Sequence, residues 1–368
     1  MSGYLFTPGP LTTTETVRQA MMEDWGSRDA AFIRLTRETR EGIDAIAGAG
    51  ATHTTVLMQG SGTFAVEAAL ATLVGPRDRL LVAINGEYGR RIEKIAARMG
   101  KAVEPLSFGD TEPVDPARLK AHLEANPEIT QVAVVHLETT TGLLNPLPEI
   151  ASVVAEAGRR LILDSMAAFG AYAIDLRTLP CAAVIASSNK GLHGTPGIGF
   201  VVAEKALLER CAGHSPSVSL DLHDQWRGFE SNGQWRFTPP THILAALHRA
   251  IAEHAADGGT EGRRALYGAN AAKVTARMEA LGIVPTLPAE LRSSVILTFD
   301  SPDAPWFDFK SLYDRLAAQG FRIYPGKLTQ TETFRIGCIG AIPPEGFDAM
   351  LDAFEAAIAD MKAPKAAE

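Results

Sequence analysis

Residues 160–203 read RLILDSMAAFGAYAIDLRTLPCAAVIASSNKGLHGTPGIGFVVA, and three short β-branched runs punctuate them: RLILD (160–164), AAVIASS (182–188) and IGFVVA (198–203). Toward the N-terminus the same kind of run recurs as TVLM (55–58), RLLVAI (79–84) and TQVAVVH (130–136). Between the runs, residues 63–74, 88–99, 116–125 and 147–157 place Ala, Leu and Glu at helical spacing, with Pro and Asp at 76–78 and 113–116 as boundaries. Strand and helix in alternation predict an α/β fold whose mostly parallel sheet is covered by helices. Ligands of such sheets bind beyond the carboxyl ends of the strands.

Toward the C-terminus, residues 213–241 (GHSPSVSLDLHDQWRGFESNGQWRFTPPT) show little periodicity but hold Trp226 and Trp235. Two tryptophans argue against disorder, so the stretch reads as a long, ordered, functional loop. Helical patterns follow at 242–255 and 260–281, then strands near 294–299, 321–324 and 333–337 alternate with helices at 309–319 and 344–361. The chain therefore divides into an N-terminal segment and large domain over 1–249 and a small α+β domain over 250–368. Only the tail, Met361–Glu368, reads as disordered.

Composition narrows the function classes. Among 368 residues, 35 Lys+Arg oppose 43 Asp+Glu, a net charge of −8 with the basic residues scattered, which excludes the electrostatic footprint of a nucleic-acid binder. Three cysteines (Cys181, Cys211, Cys338) without a CxxC spacing predict neither a disulfide framework nor a thiolate metal site, and no metal is expected. The opening MSGYLFTPGP has no basic region and meets Pro8 at once, and no run of about 18 apolar residues occurs. A cytoplasmic protein without membrane contact is the expectation.

Four features could carry chemistry. Gly60-Ser61-Gly62-Thr63 follows the 55–58 run and opens an Ala-rich helix, where free N–H groups and the helix dipole favour a phosphate; a plain tight turn fits the same residues. Asp164 and Lys190 each stand at the carboxyl end of a strand. A Lys there can form an imine with an aldehyde cofactor, and an Asp on the adjacent strand can hold a pyridinium nitrogen protonated. Their bland alternatives are a helix N-cap and a solvated amine. Arg335, inside the apolar TFRIG (333–337), must either pair with a protein carboxylate or clamp an anionic ligand. Tyr88, just after the 79–84 run, could cover a flat ring or simply pack in the core.

In this order, and with Lys190 inside SSNKGLHGTPGIGF, these pieces resemble the class V pyridoxal-phosphate aminotransferases of fold type I. The matching blocks include LFTPGPLTT (5–13), QGSGTFAVEAAL (59–70), NGEYGRR (85–91), HLETTTGLLNP (136–146), GQWRFTPPTH (233–242), QGFRIYPGK (319–327) and FRIGCIG (334–340), nearly the whole chain. Within the family the closest likeness is to members that transfer the amino group of 2-aminoethylphosphonate to pyruvate. Alanine– or serine–glyoxylate aminotransferases are the runner-up, and a non-catalytic cofactor-binding protein and a nucleotide-dependent oxidoreductase stand as alternatives of other classes. A cysteine desulfurase is disfavoured, because it needs a nucleophilic Cys on a mobile loop.

The resemblance implies roles at matching positions. Lys190 would carry pyridoxal 5'-phosphate and move the proton, Asp164 would pair with its ring nitrogen, and Tyr88 would stack on the ring. Ser61, Gly62 and Thr63 would bind its phosphate, Thr139 would contact the ring hydroxyl or nearby atoms, and Thr238 would reach the phosphate in the partner subunit of a homodimer. Arg335 would bind the substrate anion. Apart from the resemblance, Arg28 could add a second charge that favours a phosphonate over a carboxylate, or stand as a surface residue paired with Asp29. The chain departs from the family pattern at Ser27-Arg28-Asp29, Ala167-Ala168 and His193.

Overall fold

The computed structural model describes residues 3–328 and 331–363. Residues 364–368 of the tail expected to be disordered lie outside them. A seven-stranded sheet organises the larger part of the chain: β1 (His53–Gln59), β2 (Arg79–Ile84), β3 (Ala102–Ser107), β4 (Gln131–Val135), β5 (Arg160–Asp164), β6 (Ala183–Ser187) and β7 (Ile198–Glu204). The spatial order is β1-β7-β6-β5-β4-β2-β3. Only β7 runs against its neighbours, pairing antiparallel with both β1 and β6, so the sheet is mostly parallel as the alternation predicts. Strands β4 and β6 are buried along their whole length, which is why they read as unbroken apolar runs rather than as alternation.

The intervening helices fall within a residue or so of their sequence-read bounds, for example Gly62–Leu73, Glu87–Arg98 and Pro116–Ala125. Pro116 opens the last of these with Asp115 accepting the Ala117 N–H at 2.8 Å. Four helices lack a counterpart in the sequence reading: Glu15–Gln19, Ala30–Ala47, Lys205–Arg210 and Leu222–Asn232. Ala30–Ala47 buries Phe32, Leu35 and Ile43 against the sheet and ends at Gly48, whose φ of 58° closes the left-handed cap. Leu222–Asn232 lies inside the stretch expected to be a loop, and this is a correction: Asp221 caps it through the Asp224 N–H, and Leu222, Trp226 and Phe229 form its buried stripe. Gly228 and the charged residues around the stripe masked that pattern.

A second hydrophobic core gathers Val274, Leu312, Phe334, Phe347 and Phe354 around a three-stranded antiparallel sheet of Ile296–Asp300, Thr333–Gly337 and Tyr324–Pro325. Phe6 belongs to this core, and Tyr4–Leu5 pairs in parallel with Phe321–Arg322. The first residues thus pack with the C-terminal elements although the sequence reading groups them with 1–249. From there the chain crosses to the large sheet, where the Pro8 carbonyl meets the Lys190 ammonium at 2.7 Å.

Candidate active site

Parallel strands deliver their carboxyl ends to one edge, and the sequence-read residues gather there. A cavity of about 190 Å³ is lined by Ser61, Gly62, Thr63, Tyr88, Thr139, Asp164 and Lys190. Asp164 is the last residue of β5, Lys190 follows β6 by three residues, and Gly60 follows β1 by one.

Asp164 is buried, with 4% of its surface exposed. One carboxylate oxygen accepts the Met166 N–H at 3.0 Å, a local turn rather than a helix cap. Among the described residues no cation lies within ion-pair distance of it. Burial, the Met166 contact notwithstanding, and the neighbouring Glu138 push its carboxyl up from 3.8 to about 6. A buried carboxylate in this condition calls for a cation supplied from outside the chain.

Lys190 is half-buried rather than solvated. Burial lowers its ammonium, Tyr88 and Asp164 oppose that, and Lys327 and Arg335 add to it, so the net direction is downward, toward the neutral, nucleophilic amine. Gly9 lies across this amine: a Cβ there would come within 2.7 Å of Nζ.

At the helix Gly62–Leu73, the cap residue Ser61 makes no side-chain capping bond, leaving its hydroxyl and the first helical N–H groups available to a ligand. A Cβ at Gly62 would sit 2.3 Å from Met166 Sδ, and Gly60 adopts φ 116°, so the backbone here approaches the sheet edge as only glycines permit. Phosphate cup and tight turn are therefore one feature. An anion at this helix end, a cation at Asp164 and a covalent handle at Lys190 are the three demands pyridoxal phosphate satisfies, and the residues fit it.

Arg335 is 3% exposed. Its Nε donates to the Pro325 carbonyl at 3.0 Å and its Nη1 to the Thr139 carbonyl at 2.9 Å. No carboxylate among the described residues forms an ion pair with it, so the protein-pair alternative fails and the charge is left for an anionic ligand. Arg28 and Thr238 are elsewhere. They share a second recess with Trp235 and Arg236, and neither lines the Lys190 cavity of the same chain. Trp226 is buried in its own chain's core.

His193, three residues beyond Lys190, takes a positive φ of 59° and is 1% exposed. Its imidazole meets Arg263, Tyr267 and the Gly340 N–H, the last at 3.1 Å. Burial and Arg263 hold it well below the ordinary histidine range, so it stays neutral and ties the Lys190 turn to the C-terminal elements.

A family model described as aminotransferase class-V matches residues 14–321. The chain belongs to that family. This class V aminotransferase is 47% identical over 359 residues to 2-aminoethylphosphonate–pyruvate transaminase of Pseudomonas putida (strain W619), with 97% of each chain covered. It is 48% identical over 357 residues to 2-aminoethylphosphonate–pyruvate transaminase 2 of Burkholderia lata, covering 97% of this chain and 94% of that one. Among solved structures, alanine–glyoxylate aminotransferase from Nostoc sp. superposes with a TM-score of 0.90 at 25% identity, covering 97% of this chain and 96% of that one.

The aminotransferase's cavity also holds groups the sequence reading assigned no role. Arg91 lines it, with its guanidinium carbon 4.7 Å from the Tyr88 ring centroid. Glu138 is fully buried and accepts the Tyr88 N–H at 3.2 Å and the Thr140 hydroxyl at 2.6 Å, fixing the start of the Tyr88 helix against the sheet edge. An acidic residue between apolar and threonine runs in HLETTT was the signal for it. All three cysteines are buried, and burial raises Cys181 to about 12 and Cys211 to about 11, so neither presents a thiolate. No helix among the described residues is long and apolar enough to cross a membrane.

Proposed function

We propose that the chain is a pyridoxal-phosphate-dependent aminotransferase that moves the amino group of 2-aminoethylphosphonate to pyruvate, giving phosphonoacetaldehyde and L-alanine. The observation that carries the reading is the convergence of Lys190, Asp164 and the Ser61–Thr63 helix end on one cavity beside an Arg335 that has no protein carboxylate. Relatives named for this reaction, at 47–48% identity over nearly the full length, support the donor and acceptor. When bound, pyridoxal phosphate supplies an aldehyde that captures amines and a conjugated ring that accepts the electron pair left as a substrate C–H proton departs.

The chain's own residues do the rest. Lys190 Nζ, with its lowered proton affinity, holds the cofactor covalently between turnovers and carries the proton to and from the substrate carbon during them. Asp164 keeps the ring nitrogen protonated by ion pairing, which relieves its own burial. Ser61, Gly62 and Thr63 anchor the phosphate at the helix N-terminus, and Tyr88 and Thr139 bound the ring. Arg335 takes the phosphonate in one half-reaction and the pyruvate carboxylate in the other, because its planar fork matches either anion.

The two cores support a large domain over 1–249 and a small one over 250–368, with residues 4–6 lent to the small one. The chain works in the cytoplasm as a homodimer, in which the recess of Arg28 and Thr238 faces the partner's cavity. The exposure of Phe237 and Thr238 in that recess supports this, Phe237 being 47% exposed.

Parallel assay of amino donors, with alanine formation from pyruvate as readout, tests the reaction. 2-Aminoethylphosphonate is the fastest donor on this reading; L-serine or L-alanine with glyoxylate reacting far faster overturns it.

A further inference from the structure

A phosphonate dianion brings two negative charges to the place where pyruvate or alanine brings one. Arg335 answers one of them. The expectation for the other is Arg28, which within one chain lies in the second recess and reaches a Lys190 cavity only through the homodimer, whereas the same chain sets a different cation against Tyr88 of the cavity wall. We propose that Lys327 is the second cation, and that it is the residue by which this enzyme prefers a phosphonate to a carboxylate amino donor. The inference rests on the donor reading above.

Local backbone puts Lys327 there. Tyr324–Pro325 pairs antiparallel with Thr333–Gly337, setting Tyr324 opposite Arg335. The Gly326 N–H continues that ladder to the Thr333 carbonyl at 2.7 Å, and the Pro325 carbonyl holds Arg335 Nε at 3.0 Å. A Cβ at Gly326 would fall 1.8 Å from Thr333 Oγ1, so the chain hugs its neighbour strand with no room for a side chain. Lys327 is the next residue, and it leaves the strand aimed at the cavity wall: Nζ lies 3.4 Å from Tyr88 Oη and 4.8 Å from the ring centroid.

Electrostatics point the same way. No carboxylate among the described residues forms an ion pair with Lys327, and its charge is felt at Lys190, whose ammonium it and Arg335 both disfavour. Tyr88 responds in the opposite sense: burial alone would raise its phenol, but Thr139, Lys327 and Lys190 outweigh burial and lower it. Lys327 and Arg335 thus approach the Lys190 cavity with no carboxylate among the described residues in ion-pair contact, and Arg91 also lies over the Tyr88 ring, an arrangement that repels itself until an anion of more than one charge fills it. Lys327 reaches this wall from the small domain and Tyr88 from the large one, so the contact forms only with the two parts together.

The test uses the holoenzyme and its Lys327→Met and Lys327→Arg variants. Single-turnover spectra give the apparent second-order rate constant with 2-aminoethylphosphonate and with L-alanine, and calorimetry gives the affinities of ethylphosphonate and propionate, which lack the amine. Loss of one charge-assisted contact corresponds to about 30-fold. Lys327→Met is expected to lower the preference for 2-aminoethylphosphonate over L-alanine by that factor, and the affinity ratio of ethylphosphonate to propionate alongside it. Lys327→Arg should restore most of both. Ratios staying within about threefold of wild type, whether the individual constants fall together or not at all, overturn the inference. A wild-type enzyme that ignores 2-aminoethylphosphonate yet binds ethylphosphonate in a Lys327-dependent way sinks the donor reading and leaves the dianion site standing.

Discussion

Asp164 is the place where folding and cofactor binding pull on the same proton. Its carboxyl sits at about 6 in the folded chain against 3.8 for an ordinary aspartate, a difference of about 3 kcal/mol. Between those pH values the folded state binds a proton that the unfolded state has released, so the stability of cofactor-stripped protein falls as pH rises through the window and stays low above it. Asp164→Asn keeps the acceptor for the Met166 N–H and removes the charge. The variant should therefore match wild type near pH 4 and exceed it by about 3 kcal/mol near pH 8 when both are stripped, equivalent to roughly 4 °C in midpoint for a chain of this length. Restoring pyridoxal phosphate should close or reverse the gap, because only the aspartate gains an ion pair. Denaturant titrations at four pH values, with and without cofactor, measure this. A stripped-state gap that is the same at pH 4 and pH 8 would refute the claim that Asp164 waits, charged and unpaired, for a cation.

Lys190→Ala should abolish the visible absorbance of the holoenzyme and its transamination, and mass mapping of borohydride-reduced wild type should find the adduct on Lys190; an adduct on another lysine removes it from the mechanism. Arg335→Lys, which exchanges a planar fork for a point charge, should slow both half-reactions by about 10- to 100-fold, read from single-turnover spectra with each donor. Mixed dimers of Lys190→Ala and Thr238→Ala subunits should recover activity, since a shared site concentrates both lesions in one cavity and spares the other; dimers with no recovery contradict the composite site.

What the sequence disclosed follows the range of the interactions involved. Asp164 and Lys190 were legible because the buried runs before them mark strand ends by themselves, and in a parallel sheet all strand ends share an edge. Arg335 was legible as an anomaly, a guanidinium in an apolar strand, but only the assembled fold removes the protein carboxylate from contention. Lys327 carried no local signal: its placement depends on the pairing of Tyr324–Pro325 with Thr333–Gly337 and on the approach of Tyr88, far away in sequence. Helix Leu222–Asn232 was hidden because its apolar face has few residues among polar ones, and its partners lie far away in sequence, as with the Leu222 N–H donated to Thr72 at 3.0 Å. Arg28 and Thr238 sit outside the cavity of their own chain, which no local pattern in the sequence encodes.

The pairing of Tyr4–Leu5 with Phe321–Arg322 has a bearing on how the protein is made. The ribosome releases residues 4–6 about 300 residues ahead of their partners, which at about 5–20 residues per second is roughly 15 to 60 s. Throughout that interval Phe6 has no core to enter, while the large sheet already has all seven of its strands by residue 204. The Lys190 ammonium likewise lacks the Pro8 carbonyl until the early segment is drawn across the molecule. Docking of that segment is thus a late event in synthesis that completes the second hydrophobic core and brings Pro8 to Lys190 in the same motion. A nascent chain arrested before residue 321 should bury its sheet yet leave residues 3–12 open to protease.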